Sequence, residues 1–457
     1  MALDIVIMAA GKGTRMKSAL PKVLHKLAGR SLLQHVLHTA GSLGPDRLVT
    51  VTGHGAQAVE SAVSAGHLHF VRQMPQLGTG HAVQQAVPLL HDAGTTLILN
   101  GDVPLIEAAT LRSLLQACAG ERLALLSIEL ADATGYGRIV RQGDAVQAIV
   151  EHKDASPAQR AIREIYTGVM AAPTVALKRW LAALKNDNAQ GEYYLTDVVA
   201  HAVRDGVPVV AVPAPSEIEV LGINSPAQLA DLERRFQRRQ AAVLMEAGVR
   251  LADPERLDVR GELRCGMDVE IDVGCVFEGN VQLGDNVRIG AHCVIREAVL
   301  GDGVVVSPFT HIDGSGQPVQ VGAGALIGPF ARLRPGATLG AEVHIGNFVE
   351  VKNATLARGA KANHLAYLGD ATVGERVNFG AGSITANYDG ANKHRTVIEA
   401  DVHVGSNCVL VAPVTLGAGA TIGGGSTITK DAPAGQLSVA RGKQVAIAGW
   451  KRPLKKK

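Results

Sequence analysis

A six-residue repeat near the C-terminus constrains the fold of this chain more than any other feature. Neither the helical period of 3.6 nor simple strand alternation produces such a repeat. A hexapeptide β-solenoid does, because each six-residue strand and turn forms one face of a three-sided coil. The repeat runs in two rows that we expect to point inward: Val404, Leu410, Leu416, Ile422 and Ile428, and Val402, Cys408, Val414, Ala420 and Ser426.

The same interval occurs earlier in the C-terminal half. One row there consists of Leu283, Ile289 and Ile295, and a second row beside it consists of Val281, Val287, Cys293, Val299 and Val305. The interval occurs again in Leu339, Ile345 and Val351. We predict that these side chains fill the coil as well. The interval breaks at 307–320 and 385–398. Inserted loops on a rigid scaffold are frequent places for function.

Composition narrows the class of protein. A net charge of +3 over 457 residues argues for no particular partner, so we expect no nucleic acid and treat residues 451–457 as a solvated basic tail. No apolar run reaches about 18 residues, and the chain opens directly on a strand pattern, so we expect no membrane span and no signal peptide. The five cysteines form no CxxC pair, and Cys275, Cys293 and Cys408 fall on the inward rows. These features predict a soluble, cytoplasmic protein with reduced thiols.

The N-terminal part follows a different pattern. Strand-like runs at 5–10, 48–52, 97–99 and 123–130 alternate with helical stretches such as 32–40. This alternation predicts an α/β domain with a mostly parallel, Rossmann-like mixed sheet. One helix then follows, with Ser225 as its N-cap and Pro226 at its first position. Gly248 marks its C-terminal end. We therefore predict an α/β domain at 1–224, a linker helix at 225–248 with a solvated arginine face, and the solenoid at 249–457.

The loop after the first strand is rich in glycine. The loop is not a P-loop, because that motif requires Gly at position 6, where this chain has Val6. It is not a dinucleotide-binding fingerprint either, because that motif requires Gly at position 16, where this chain has Met16. Its N–H groups can approach phosphates, with Arg15 and Lys22 to offset their charge. A later strand ends near Asp102, and a carboxylate in that position suits Mg²⁺ held against a nucleotide phosphate.

These residues are accompanied by specific motifs. They are Ala9-Ala-Gly-Lys-Gly-Thr-Arg-Met16, Pro21-Lys-Val-Leu-His25, Gln76-Leu-Gly-Thr-Gly-His-Ala82, Gly101-Asp-Val-Pro-Leu105 and Gly191-Glu-Tyr-Tyr194. The first half thereby resembles the sugar-1-phosphate nucleotidyltransferases. The whole chain resembles the bacterial family of bifunctional N-acetylglucosamine-1-phosphate uridyltransferases/glucosamine-1-phosphate acetyltransferases. That resemblance implies synthesis of UDP-N-acetylglucosamine for peptidoglycan and lipopolysaccharide precursors, from acetyl-CoA, UTP and glucosamine 1-phosphate.

The resemblance also implies roles for N-terminal residues. Asp102 and Asn224 would ligate Mg²⁺, Lys22 would neutralise phosphate, and Gly137 and Glu151 would contact the amino sugar. The full candidate set for nucleotide and sugar is Met8, Ala9, Ala10, Gly11, Arg15, Lys22, Gln73, Gly78, Thr79, Asn100, Gly101, Asp102, Gly137, Glu151, Tyr166 and Asn224. Two members depart from the family pattern, which has Tyr at the position of Asn100 and Asn at the position of Tyr166.

A second polar set lies on the solenoid. Acetylation of an amine needs a base for the amine proton, and His is suited to that task near neutral pH. Arg334 and Lys352 fall near His364 on neighbouring coils and suit a phosphorylated amine. The resemblance implies that His364 is the general base and that Arg334, Lys352, Tyr367 and Asn378 hold the sugar phosphate. It places acetyl-CoA against Ala381, Asn387, Tyr388, Ser406, Gly424 and Arg441, in a homotrimer.

Two alternatives remain at this stage. One is a nucleotidyltransferase with a single activity, whose solenoid only oligomerises or regulates. It predicts no chemical set on the coils, so His364 and the loop around Asn387 count against it. The other is a non-catalytic scaffold, which would need an exposed ladder of repeated side chains. No such ladder is evident in the sequence.

Overall fold

The chain forms two compact units, Met1–Arg235 and Phe236–Lys457. The computed structural model describes residues 2–63 and 68–453, so positions 454–457 of the predicted basic tail lie outside the described residues. The boundary between the units falls inside a long helix, Pro226–Glu246. The finer division at 224/225 and 248/249 stays a prediction.

The first unit is built on a mixed β-sheet, with β2 and β3 forming a separate two-stranded sheet. The described strands of the unit are β1 (Leu3–Ala9), β2 (Lys26–Leu27), β3 (Arg30–Ser31), β4 (Arg47–Thr52), β5 (Leu68–Arg72), β6 (Thr95–Asn100), β7 (Leu123–Glu129), β8 (Gly137–Gln142), β9 (Ala145–Val150), β10 (Glu164–Pro173) and β11 (Val209–Pro213). The described helices are α1 (Leu32–Gly41), α2 (Ala56–Ala62), α3 (Thr79–Ala86), α4 (Ala108–Cys118), α5 (Pro157–Arg160), α6 (Thr174–Ala182), α7 (Val198–Arg204), α8 (Glu217–Val220) and α9 (Pro226–Glu246).

The order of the main sheet is β11-β7-β10-β6-β1-β4-β5. β1 pairs in parallel with β4 and β6, and β10 runs antiparallel to both β6 and β7. The predicted mixed sheet is therefore confirmed, and the predicted strands at 5–10, 48–52, 97–99 and 123–130 each fall within about two residues of an observed strand. Because β1 and β6 are parallel, the glycine loop and Asp102 follow them at the same edge of the sheet.

The linker helix has the predicted caps. Ser225 Oγ accepts a hydrogen bond of 3.3 Å from the backbone N–H of Gln228, and Gly248 takes a left-handed conformation with φ +96°. Arg235 pairs with Asp231 one turn away, and Arg238 pairs with Glu255 at 2.6 Å. These ion pairs fit a solvated arginine face.

The second unit is a left-handed parallel β-helix with three faces, as predicted. The first face holds Arg250–Leu251, Glu270–Ile271, Arg288–Ile289, Val305–Val306, Leu326–Ile327, His344–Asn347, Lys361–His364, Asn378–Phe379, His403–Val404, Thr421–Ile422 and Leu437–Ser438. The second face holds His311–Asp313, Arg332–Leu333, Glu350–Lys352, Tyr367–Gly369, Ile384–Ala386, Val409–Val411 and Thr427–Ile428. The third holds Val319–Val321, Thr338–Leu339, Thr355–Leu356, Ala371–Val373, Thr396–Ile398 and Val414–Leu416. Long strands in the first coils, Leu257–Cys265, Cys275–Leu283 and Val294–Leu300, bend from the second face into the third.

The inward rows between Val402 and Ile428 are confirmed. Each of their members is buried, from Val404 and Leu410 to Ser426. Cys275, Cys293 and Cys408 are buried free thiols, and burial raises the pKa of Cys293 to about 12. These thiols are small core side chains rather than reactive groups.

The predicted inward positions of Val299 and Val305 are wrong. Val299 and Val305 are half-buried and point outward, whereas Ala298 and Val304 point inward. The reason is a short coil, because Ala298 pairs with Val281 and Val306 pairs with Ile289, so this coil lacks one residue of the regular eighteen. The missing residue lies at the corner beside Glu297, whose φ is +45°.

Within each predicted interruption, 307–320 and 385–398, only the middle part is a loop outside the strands of the coil. Asp313 ends a strand of the second face and Val319 begins one of the third, with a turn between them. The longer loop joins Ala386 to Thr396 and contains a bridge between Tyr388 and Lys393. Among the described residues, no helix is long and apolar enough to cross a membrane.

Candidate active sites

Two neighbouring cavities open at the carboxyl edge of the N-terminal sheet. The larger, of about 630 Å³, is lined by the glycine loop, and the smaller, of about 290 Å³, is lined by Glu151 and Tyr166. Met8, Arg15 and Asp102 line both of them. Their position matches the expectation that ligands of such sheets bind beyond the ends of the strands.

These cavities bring together all but one of the predicted N-terminal site residues. Gly101 is the exception, since its N–H donates to the carbonyl of Met8 and it lies behind the cavity wall. The larger cavity is lined by Met8, Ala9, Ala10, Gly11, Arg15, Lys22, Gln73, Gly78, Thr79, Asn100 and Asp102. The smaller one is lined by Met8, Arg15, Thr79, Asn100, Asp102, Gly137, Glu151, Tyr166 and Asn224.

The glycine loop brings a lysine into the larger cavity. Gly13 has φ +59°, and a Cβ atom added there would lie 2.7 Å from Cβ of Lys22. Any other residue would displace Lys22, so the loop needs glycine at this point. Lys22 Nζ then donates to Oδ2 of Asp102 at 2.5 Å and to Oδ1 of Asn224 at 3.0 Å. One carboxylate and one amide oxygen therefore converge on a single cationic group.

A second loop closes the other side of this cavity. Gln73 is buried and donates from Nε2 to the carbonyl oxygen of Gly78 at 2.8 Å. Gly78 has φ +107°, and the hydroxyl of Thr79 accepts a hydrogen bond from the N–H of Leu195. The amide of Gln73 thus holds the loop in place, a structural role in addition to the predicted nucleotide contact.

The smaller cavity contains a carboxyl group in an unusual environment. Glu151 accepts a 3.1 Å hydrogen bond from the hydroxyl of Thr196. Burial raises the pKa of Glu151, and the charges of Asp197 and Asp154 add to that effect. Gly137 lies beside Glu151, and a Cβ atom added there would meet Ile149 at 2.7 Å, so this part of the cavity wall is bare backbone. Thr196 orients Glu151, and no pattern in the sequence singles it out.

The solenoid candidates lie mostly along one corner of the prism. Backbone hydrogen bonds stack this corner coil upon coil: Leu365 N–H donates to Asn347 O, Gly382 N–H to His364 O, Asn407 N–H to Ala381 O, and Gly425 N–H to Ser406 O. The corner column is therefore Asn347, His364, Ala381, Ser406 and Gly424. Arg441 ends it, because its Nη1 donates to the carbonyl of Gly424 at 2.7 Å. Predicted base and acetyl-CoA residues thus share one edge.

His364 is exposed and oriented by a neighbouring amide. Its Nδ1 lies 2.8 Å from Oδ1 of Asn347 in the coil below. An amide oxygen only accepts, so the proton sits on Nδ1 and Nε2 is left as the acceptor. The sequence motifs do not include Asn347. Its position one coil before His364 does predict that the two side chains are neighbours.

A basic cluster lies on the second face, which follows this corner. Arg334 donates to Glu350 at 2.7 Å. The neighbouring amine of Lys393 lowers the pKa of Lys352 most, followed by burial and the charge of Arg334. Crowded cations of this kind suit an anion such as a phosphate. Lys393 lies in the inserted loop and was missed in the sequence, where no partner for it was apparent.

The inserted loop is anchored to the same face. Asn387 is buried and donates to one oxygen of Asp370, while Asn353 donates to the other at 2.5 Å. The amide nitrogen of Asn387 therefore holds the loop in place. Tyr388, the neighbouring residue, is 62% exposed, and its hydroxyl donates to the carbonyl of Gly390 at 2.6 Å.

Of the predicted sugar-phosphate residues, one lies apart from the others. Tyr367 is on the second face with Lys352, and its ring crosses Gly369. Asn378 is on the first face, paired in register with Lys361 and His403. The corner at His364 separates the two faces, so a single copy of the chain does not bring Asn378 to the basic cluster.

The fold and these sites define a class of protein: a nucleotidyltransferase joined to a hexapeptide transferase. Family models agree, since a MobA-like NTP transferase domain matches residues 5–205 and a bacterial transferase hexapeptide (six repeats) matches 264–297, 318–353 and 395–430. The chain is 76% identical to Bifunctional protein GlmU of Methylibium petroleiphilum, over 100% of both chains. It is 69% identical to Bifunctional protein GlmU of Albidiferax ferrireducens, over 99% of this chain and 100% of that protein.

The chain therefore belongs to the GlmU family of bifunctional proteins. The predicted family is confirmed, and so is the prediction of an enzyme with a nucleotidyltransferase activity and a hexapeptide transferase activity. The single-activity and scaffold interpretations are not supported, although an exposed ladder of side chains does exist on the solenoid. It consists of Phe309, Phe330 and Phe348, whose rings stack at 5.1 and 5.3 Å.

Proposed function

We propose that the chain makes UDP-N-acetylglucosamine in two steps, one in each unit. The solenoid transfers an acetyl group from acetyl-CoA to the amine of glucosamine 1-phosphate. The N-terminal unit then transfers uridylyl from UTP to N-acetylglucosamine 1-phosphate and releases pyrophosphate. The observation that carries this proposal is the hydrogen bond between His364 and Asn347 in the corner column. It orients an exposed imidazole, which a general base requires and a purely structural coil does not.

Acetyl transfer needs a base, an anion site and room for the thioester. The amine nitrogen attacks the thioester carbonyl, Nε2 of His364 accepts the amine proton, and coenzyme A leaves as a thiol once it is protonated. Arg334, Lys352 and Lys393 would hold the phosphate of the sugar. Ala381, Ser406 and Gly424 would line the pantetheine path that ends near Arg441.

Uridylyl transfer needs no protein nucleophile. A phosphate oxygen of the sugar phosphate attacks the α-phosphorus of UTP in line, and pyrophosphate leaves on the opposite side. Lys22 and Arg15 offset the charge that develops on the phosphates. The backbone from Met8 to Gly11 would hold the nucleotide, while Gly137 and Glu151 would bind the sugar hydroxyls.

Magnesium fits the N-terminal site. The oxygens of Asp102 and Asn224 converge on one positive charge, the Lys22 ammonium, which Mg²⁺ would have to replace there. Asp102 and Asn224 would ligate Mg²⁺, with phosphate oxygens completing its shell. Bound there, the ion would neutralise phosphate charge. Within the described residues no cluster of three His, Cys, Asp or Glu side chains offers a denser site.

We also propose that the chain assembles as a homotrimer around its solenoid. Phe330 and Phe348 are 48% and 55% exposed, and Leu365 continues their ladder at 62%. Exposed contiguous aromatic surface favours an interface. The ladder borders His364, so a second copy on this edge would also bring its own first face, with Asn378, towards the site. The mass in solution, measured by light scattering, tests this: a monomer would contradict the proposal.

The state of the cysteines supports a proposal on the compartment. All five cysteines are free, which suits a reducing compartment, and we propose that the enzyme acts in the cytoplasm.

An omission experiment tests the proposed function. Purified protein is supplied with glucosamine 1-phosphate, acetyl-CoA, UTP and Mg²⁺, and each is then left out in turn. With glucosamine 1-phosphate as the sugar, UDP-N-acetylglucosamine is expected only when all four components are present. Supplied N-acetylglucosamine 1-phosphate is expected to replace both glucosamine 1-phosphate and acetyl-CoA. Product formed from glucosamine 1-phosphate without acetyl-CoA would contradict the proposed order.

A further inference from the structure

The two side chains proposed to hold Mg²⁺ are fixed in place through their backbone. The N–H of Ile223 donates to the carbonyl oxygen of Asp102 at 3.0 Å, which joins the turn after β6 to the segment before α9. The N–H of Asn224 donates to Oε1 of Gln228 at 2.8 Å. Neither contact uses a side-chain oxygen of Asp102 or Asn224. The backbone therefore brings a carboxylate and an amide oxygen together, and both oxygens are left to bind a cation.

Lys22 supplies that cation from the wall of the same cavity. Its Nζ donates to Oδ2 of Asp102 at 2.5 Å and to Oδ1 of Asn224 at 3.0 Å. The side chains of Lys22 and Asp102 are only 14% and 19% exposed, so water and salt screen this ion pair weakly. Gly13 packs against the stem of the lysine, where an added Cβ atom would lie 2.7 Å from Cβ of Lys22. The protein thus carries its own counter-ion at the proposed metal position.

An ammonium and a divalent cation compete for these two oxygens. Asp102 carries one negative charge and the amide of Asn224 carries none, so the pair can balance one positive charge and not three. Like charges that meet at one carboxylate repel each other strongly in a partly buried site. Mg²⁺ also requires a compact octahedral shell of oxygen ligands, which the N–H donors of Lys22 obstruct. Occupation by the lysine therefore opposes occupation by a metal.

Phosphate oxygens can remove this competition. Lys22 lines the larger cavity together with the backbone of the glycine loop and Arg15. A lysine ammonium stands on a flexible stem of four carbons, so Nζ can turn from a carboxylate to a phosphate without movement of the backbone. A triphosphate brings enough negative charge for the ammonium and a divalent cation at once. A nucleotide can thus draw Lys22 away from Asp102 and Asn224.

We propose that Lys22 closes the metal site until a nucleotide is bound. In the protein without nucleotide, the ammonium holds the oxygens of Asp102 and Asn224 and keeps divalent cations out. Once phosphates take the ammonium, the two oxygens are available as metal ligands. Lys22 therefore makes metal binding conditional on nucleotide binding, in addition to neutralising phosphate. This inference rests on the proposed uridylyl transfer, since it concerns how the site of that reaction accepts its metal.

Binding of free Mn²⁺ in the absence of nucleotide tests the inference. Mn²⁺ is the probe in place of Mg²⁺, and the unbound ion is measured by electron paramagnetic resonance. Lys22→Met is expected to bind Mn²⁺ at least about tenfold more tightly than the wild type, because the competing cation is gone. Lys22→Gln, which keeps a polar partner for Asp102, is expected to change in the same direction. Equal affinities of the wild type and both variants would overturn the proposal.

Two further variants locate the gain in affinity. Lys12→Met removes another lysine that lines the same cavity. Less than about a twofold change is expected from it, because Lys12 makes no ion pair with Asp102 within the described residues. Adding Asp102→Ala to Lys22→Met is expected to abolish the gain. An equal gain in Lys12→Met, or one that survives Asp102→Ala, would place the Mn²⁺ elsewhere and overturn the proposal. Circular dichroism checks that each variant is folded.

Binding of UTP in the presence of EDTA tests the exchange of Lys22 to phosphate. Without a metal, the protein alone neutralises the phosphates, so Lys22→Met is expected to bind UTP at least about tenfold more weakly than the wild type in calorimetry. Unchanged affinity for UTP would overturn the exchange. If the wild type forms no UDP-N-acetylglucosamine from UTP and N-acetylglucosamine 1-phosphate, the proposed function fails, whatever the affinities for Mn²⁺ are.

Discussion

At the scale of single residues, His364 is assigned by its surroundings more than by its type. The chain has other histidines on the same face of the solenoid, such as His344 and His403, which pair in register with neighbouring strands. Only His364 in this group lies at the corner against the oxygen of Asn347. Its oriented imidazole, with Nε2 available to accept a proton, distinguishes a general base from an ordinary surface histidine.

Replacing this histidine tests that assignment. His364→Ala is expected to lower kcat of acetyl transfer at least about 100-fold, because the amine proton loses its acceptor. Uridylyl transfer from supplied N-acetylglucosamine 1-phosphate is expected to stay unchanged. The two rates are measured separately, with His344→Ala as the matched control on the same face. Near-normal acetylation by His364→Ala would show that another group acts as base.

Glu151 permits a prediction on pH. Burial raises its pKa, so it takes up a proton at a higher pH than an ordinary glutamate does. Only the carboxylate accepts hydrogen bonds at both oxygens from sugar hydroxyls. We therefore expect kcat/KM of uridylyl transfer to be full above this raised pKa and to fall as the pH drops through it. Profiles of the wild type and Glu151→Gln are compared, and an identical acid limb in both would exclude Glu151 as its origin.

At the scale of elements, the number of residues in a coil decides which side chains fill the prism. The coil that ends near Ala298 has one residue fewer than the coil before it, so the inward positions that follow shift by one until the next inserted loop. In strict period six, Val299 and Val305 belong to the core, whereas the strands bury Ala298 and Val304. A one-residue shift moves side chains to the opposite side of the wall.

Paired substitutions test this register. Ala298→Leu is expected to destabilise the solenoid by about 1–3 kcal/mol, because it overfills a packed core. Val299→Thr, next to it on the outward side, is expected to change stability by less than about 0.5 kcal/mol. Thermal unfolding followed by circular dichroism gives the midpoints. Equal shifts for both variants, or a larger one for Val299→Thr, would contradict the observed register.

At the scale of the whole molecule, the two candidate sites belong to different compact units. The intermediate, N-acetylglucosamine 1-phosphate, would leave one unit before it reaches the other. A site disabled in one copy can then be compensated by an intact site in another copy.

Mixing two inactive variants tests this independence. Asp102→Ala removes a proposed Mg²⁺ ligand and is expected to abolish uridylyl transfer while acetyl transfer continues. Neither Asp102→Ala nor His364→Ala alone is expected to convert glucosamine 1-phosphate into UDP-N-acetylglucosamine. An equimolar mixture of the two variants is expected to form UDP-N-acetylglucosamine after a lag. The product is measured over time by chromatography. A mixture that stays inactive, although each variant retains its own half-reaction, would indicate that the intermediate is not released.

The sequence by itself determined the classes of structure and the chemistry. Period six identifies a solenoid, strand–helix alternation identifies the mixed sheet, and the motifs around Asp102 and His364 identify the two reactions, because these signals are local in the chain. The tertiary structure alone decided which distant residues meet. It set the register after Ala298, the contact of Asn347 with His364 and the place of Asn378 on another face. Those outcomes depend on strand order and on the residues in each coil, and neither quantity is written in any local pattern.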